Sequence, residues 1–128
     1  MKESPFSITN TTRYKKPRVA FILLKNKILG KKYKLSVVLA NPNLSKKLNK
    51  NYRKKNRPTN ILSFPLSKKE GEIFLDLKTI KKEGKKFNRK FSNLVAYLFI
   101  HGLFHLKGFS HGVTMEKVEI KIRKRFEI

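Results

Sequence analysis

The eleven residues His101-Gly-Leu-Phe-His105-Leu-Lys-Gly108-Phe-Ser-His111 hold all three histidines of the chain, and their spacing decides both its central element and its chemistry. On a helix, His101 and His105 leave the same face one turn apart, in reach of one ion. Gly108 ends that helix, because a glycine just past the last turn takes the left-handed conformation that other residues avoid. The chain then turns back and swings His111 toward the first two rings. Three neutral imidazoles suit Zn²⁺, and three protein ligands rather than four leave a position for water, the arrangement of a catalytic zinc site.

A histidine on an apolar face is otherwise a core residue with one hydrogen-bond partner. The residues upstream weigh against that alternative. Phe87, Phe91, Leu94, Leu98, His101 and His105 fall on one stripe of a helix read as Lys85 to Lys107, and Val95, Phe99, Ile100, Leu103, Phe104 and Leu106 cover much of the remainder. Such a helix is buried nearly all round and, crossing the whole domain, is the element on which a sheet packs. Unpaired imidazoles inside it would each cost about 1 to 3 kcal/mol, a penalty that a shared metal removes.

The other segments alternate between strand and helix patterns, so the 128 residues read as a single α+β domain. Residues 4–11 carry a weak strand pattern through Phe6 and Ile8, and Lys34 to Ala40, rich in β-branched residues and closed by Asn41-Pro42, is a buried strand. Val19 to Leu29, with Pro17 before it and Gly30 after it, is a helix. Asn43 is placed to cap a helix that carries Leu44, Leu48 and Tyr52 on one face. Lys46, Lys47, Lys50 and Lys54 on its other face are a candidate phosphate track. Arg57 to Pro65, fenced by Pro58 and Pro65, suits the edge of a sheet, where free backbone groups can hold an extended substrate or the strand is merely kept short against aggregation. Glu72 to Leu77 is another strand, and Lys78 to Gly84 one or two helical turns. A last helix starts at Thr114, with Met115, Val118, Ile122 and Phe126 inside and Lys117, Lys121 and Lys124 outside.

Thirty-two Lys and Arg against eight Asp and Glu give a net charge of +24, which points to a polyanionic partner: nucleic acid first, an anionic membrane surface second. An AT-rich coding bias explains 25 Lys against 7 Arg, but not so few Glu. With no cysteine, disulfides and thiolate zinc sites are excluded, so a metal must rest on histidine, carboxylate and water. Met1 to Asn10 lacks the apolar core of a signal peptide. The longest apolar run, Leu94 to Leu106, is too short to span a bilayer, so a soluble cytoplasmic protein is expected.

Positions 101, 105, 108 and 111 match the His, His, Gly and His of the long zinc-protease motif, His-Glu-x-x-His-x-x-Gly-x-x-His. Where those proteases carry the glutamate that takes a proton from the zinc water, this chain has Gly102, so proteolysis is disfavoured. Phosphodiester hydrolysis stays available, since a metal both acidifies water and stabilises charge on phosphorus oxygens.

The motif from His101 to His111, together with Leu48-Asn-Lys-Asn-Tyr-Arg53 and Pro58-Thr-Asn-Ile-Leu-Ser-Phe-Pro65, resembles the bacterial YbeY family of rRNA maturation factors. Gly71-Glu-Ile-Phe and Met115 to Glu119 resemble its weaker motifs in the expected order. The resemblance implies a small mixed sheet packed by helices, and a zinc-dependent endoribonuclease acting on single-stranded RNA in 16S rRNA maturation and ribosome quality control. No DNA specificity and no membrane partner are implied. It carries over His101, His105 and His111 as ligands of one Zn²⁺ and Arg53 as the functional arginine, chemically suited to clamping a phosphate. Ser63 on the edge strand and Lys50, Lys54 and Lys107 complete the candidate RNA contacts. Two departures stand out: Ser110 where the family usually has Asp, which removes a carboxylate able to orient a ligand, and Asn60 where many members have Asp. Ser110 and the lack of an acid in the motif leave open a non-catalytic rRNA-binding assembly factor with a structural zinc.

Overall fold

A computed structural model describes residues 5–128. Four strands, β1 (Phe6–Asn10), β2 (Lys34–Ala40), β3 (Ile61–Ser67) and β4 (Glu70–Asp76), form one sheet in the order β1-β2-β4-β3. The first two pairings are parallel and β3 pairs antiparallel with β4. The mixed sheet and its helices are those the sequence led us to expect. β3 lies at the edge, as its prolines imply, but starts and ends later than Arg57 to Pro65, with Pro65 beside a bulge in the ladder. Of the first strand, Ser4 lies outside the described residues.

Alternation along the strands sends Leu35, Val37 and Leu39 of β2 and Ile73 and Leu75 of β4 into the core at 0–1% exposure. Helix α4 (Phe91–Leu106) packs on that face and is flanked by α1 (Phe21–Leu29), α3 (Leu77–Phe87) and α5 (Val113–Phe126). No residue of α4 is exposed, so the reading of a helix buried nearly all round holds.

Its length does not. The segment read as one helix from Lys85 to Lys107 is broken at Asn88, which takes a left-handed conformation with φ of 51°. Asn88 N–H donates to the Lys85 carbonyl and Arg89 N–H to the Gly84 carbonyl, closing α3 as a glycine would. Phe87 therefore belongs to α3, which runs well beyond Gly84. Asp76 caps α3, its carboxylate accepting from the Thr79 amide at 3.0 Å and from Ser45 Oγ at 2.5 Å.

The second helix, α2 (Pro42–Arg53), also differs in detail. Its cap is Asn41, whose side chain accepts from the Leu44 amide at 3.0 Å, because Pro42 takes the first helical position and leaves Asn43 inside. Its buried residues are polar, Ser45 on Asp76 and Asn49 donating to the Arg57 carbonyl at 2.9 Å. Leu44 and Leu48 are half-buried. Tyr52, expected inside, is 67% exposed and leans on Phe64 of β3 with ring centroids 5.0 Å apart. That contact holds the C-terminal end of α2, and so Arg53, against the edge strand.

Candidate metal centre and cleft

The end of α4 is built to bring a third histidine back. Gly108, at φ of +109°, lets its own amide donate to the His105 carbonyl and the Phe109 amide to the Phe104 carbonyl, a closure that reverses the chain within two residues. Phe109 then packs edge-on against Phe104, with ring centroids 5.5 Å apart, which anchors the returning strand. His111 follows, its ring centroid 5.0 Å from that of His101 and 4.7 Å from that of His105. One ligand nitrogen from each histidine lies within 4.8 Å of the others. The convergence read from spacing and Gly108 is present.

Hydrogen bonds at the back of the rings set which nitrogen faces inward. His101 Nδ1–H donates to Glu119 Oε1 at 2.8 Å, and His105 Nδ1–H donates to the Phe109 carbonyl at 3.2 Å. In the neutral rings this leaves each Nε2 as a lone pair, and the two Nε2 atoms face each other at 3.1 Å. With both rings neutral neither Nε2 can donate to the other, and a cation between them satisfies both. Nitrogen ligands at about 2.0 to 2.1 Å from a tetrahedral zinc stand a little over 3 Å apart, and the helical pair matches that spacing. Burial, and then the neighbouring His101 and His111, lower the pKa of His105 and favour the neutral form that a metal needs.

The rings are not sealed in the core: His101 and His105 are half-buried and His111 is exposed. The two on α4 already have protein partners at Nδ1. What calls for an ion is the facing Nε2 pair, not an unpaid burial cost.

The triad opens on a cleft of about 590 Å³ whose walls include Arg53, Asn60, Ser63, Pro65 and Tyr97. Arg53 from α2 and Ser63 from β3 thus share one cavity with the three histidines. Lys50 and Lys54 do not line it; they are exposed, and Lys54 caps α2 in a left-handed conformation. Lys107 turns away altogether, its ammonium donating to the Ile28 carbonyl at 2.9 Å, so it closes the end of α1 and is withdrawn as a phosphate contact. Ser110 is exposed on the turn before His111.

Glu119 is the residue that sequence reasoning missed. It sits on α5 at 6% exposure, with one carboxylate oxygen on His101 and the other 3.5 Å from Arg123 Nη1. A signal was present: four residues after Met115, Glu119 falls on the inner face of the last helix, an odd place for an acid without a partner. Arg123 in turn lies over the ring of Tyr97, 4.8 Å from its centroid, and Arg89 stands 4.4 Å from the same ring.

Fold and site together define a small α+β protein with an open three-histidine cluster that could hold a metal ion, in an arginine-bearing cleft. The sequence profile described as Endoribonuclease YbeY matches residues 3–127. The Endoribonuclease YbeY of Ehrlichia chaffeensis is 41% identical over 104 residues, covering 73% of this chain and 68% of that protein. That of Buchnera aphidicola from Acyrthosiphon pisum is 40% identical over 111 residues, covering 75% and 72%. A solution structure of a Thermotoga maritima protein superposes with a TM-score of 0.66 over 95% of this chain and 91% of its own, at 23% identity, and shares the fold. The chain belongs to the YbeY endoribonuclease family.

Proposed function

We propose that this chain is a zinc-dependent endoribonuclease that cuts single-stranded RNA, acting as one domain in the cytoplasm on 16S ribosomal RNA precursors and in ribosome quality control. The observation that carries this reading is the facing pair of Nε2 atoms, 3.1 Å apart, on the cleft that Arg53 also lines. No described helix is long and apolar enough to cross a membrane. The net charge of +24 suits a phosphate backbone better than a peptide.

His101, His105 and His111 would hold the ion, which when bound supplies Lewis-acid charge stabilisation beside the scissile phosphate and acidifies water. Arg53 clamps two non-bridging phosphate oxygens and gains strength as charge builds on them. Ser63 lines the same cavity, with Ile61 and Pro65 of the edge strand, and orients the RNA through ribose and phosphate oxygens. Lys50 and Lys54, off the cavity wall, steer the backbone from the exposed face of α2. Gly102 offers no side chain to take a proton, which disfavours the protease reaction. A Cβ there would lie 2.8 Å from both Ile61 Cδ1 and Ser63 Oγ, so a larger residue would have to displace those side chains of β3.

A second reading, a zinc-stabilised rRNA-binding assembly factor without catalysis, is favoured by one observation: among the described residues no carboxylate lines the cleft. Metal analysis of the purified protein, followed by incubation with an internally labelled single-stranded RNA with and without chelator, separates the two. Endonuclease cleavage that stops on chelation and returns with zinc supports the enzyme. Tight RNA binding by zinc-loaded protein with no cleavage supports the assembly factor.

A further inference from the structure

A divalent cation bound by three neutral imidazoles in a chain of net charge +24 meets repulsion on every side unless negative charge is placed close to it. Among the described residues, the carboxylate bonded to the triad is Glu119, through His101 at 2.8 Å. Glu116, one turn earlier on α5, is exposed to solvent and screened. His105 has only a neutral carbonyl behind it. The three ligands are thus unequal, and the difference lies in one buried acid.

Resting on the reading that the triad holds zinc, we propose that Glu119 is the positioning residue of the metal centre, fixing the His101 tautomer and ring angle and setting the affinity for the ion. A carboxylate behind a ligating imidazole raises its basicity and holds its lone pair on the ion, and such partners typically change metal affinity by 10- to 100-fold. Glu119 is itself held. Arg123, one turn along α5, approaches its second oxygen at 3.5 Å, and Tyr97 of α4 lies beneath the Arg123 guanidinium. The centre is therefore braced from α5 as well as from α4 and its following turn.

The test is zinc affinity, measured by competition with a chromophoric chelator on wild type, Glu119→Ala, Glu119→Gln and Arg123→Ala, with melting of each metal-free protein alongside and the visible spectrum of the cobalt-substituted forms. Glu119→Ala is expected to bind zinc about 10- to 100-fold more weakly and to shift the cobalt bands. Glu119→Gln, which keeps an acceptor oxygen but no charge, falls between Ala and wild type and guards against an Ala variant that does not fold. Arg123→Ala should lower the melting temperature with a smaller effect on zinc. Wild-type zinc affinity and cobalt spectrum in folded Glu119 variants would overturn the role and leave a packing residue. A wild type that takes up no zinc would instead overturn the metal reading itself, and this role with it.

Discussion

Gly102 of α4 and Ser63 of β3 pass so close that a single added carbon at position 102 would come within 2.8 Å of the serine hydroxyl. Helix and edge strand approach this closely because position 102 carries no side chain. Gly102→Ala gains about 1 kcal/mol of helix propensity but must displace Ser63, Ile61 and Ile73 in a packed layer, at a cost of about 1 to 3 kcal/mol. The net expectation is a loss of about 1 kcal/mol, read as a melting temperature lower by about 3 to 5 °C. An alanine variant that melts at or above wild type would show that the contact is slack.

Acid should weaken the metal-free protein through His105. Its folded-state pKa is lowered, first by burial and then by His101 and His111. The unfolded chain takes up a proton near the ordinary histidine value of about 6.5. Stability tied to neutral His105 is therefore fully present above that value and is lost as pH falls through it toward the lower folded-state value. Melting in chelator, followed from about pH 8 down to about pH 5, should fall on the acid side, and His105→Gln should flatten the curve. Parallel curves for the two proteins would contradict this.

How much of this was legible beforehand depended on how local the cause was. The histidine convergence needed only helical spacing and a glycine at 108, both written in adjacent residues, and the edge position of β3 needed only its prolines. The break at Asn88 was hidden because asparagine adopts the left-handed conformation without announcing it as glycine does. The burial of Ser45 and Asn49 had no local signal, because their partners, Asp76 and the Arg57 carbonyl, lie in other segments. Glu119 was hidden for the same reason, being 18 positions from the histidine it supports. Lys107 was misplaced because adjacency in sequence to the site says nothing about which way a side chain at a helix end turns.

RNA affinity should depend steeply on salt. For single strands the log–log slope is about −0.7 per neutralised phosphate, so six or seven contacts give a slope of about −4 to −5. A titration of labelled RNA from low to high salt reads it directly. A slope near zero would mean that the +24 reflects composition alone and that binding rests on other contacts.

Whether the cleft catalyses or only binds is tested most directly by single-turnover cleavage with zinc-loaded Arg53→Ala. Arg53 shares the cavity with the triad but is one cation among 32, so its loss should barely change RNA affinity while removing a contact that strengthens in the transition state. The expected result is a cleavage rate lower by about 10² or more. RNA affinity should stay within about threefold of wild type, and the melting temperature should not change. Lys124→Ala, an exposed cation on α5, should leave all three measurements where they were. A folded, zinc-loaded Arg53→Ala protein that cuts RNA at the wild-type rate would contradict the phosphate clamp and, with it, the assignment of this cleft as the place where the strand is cut.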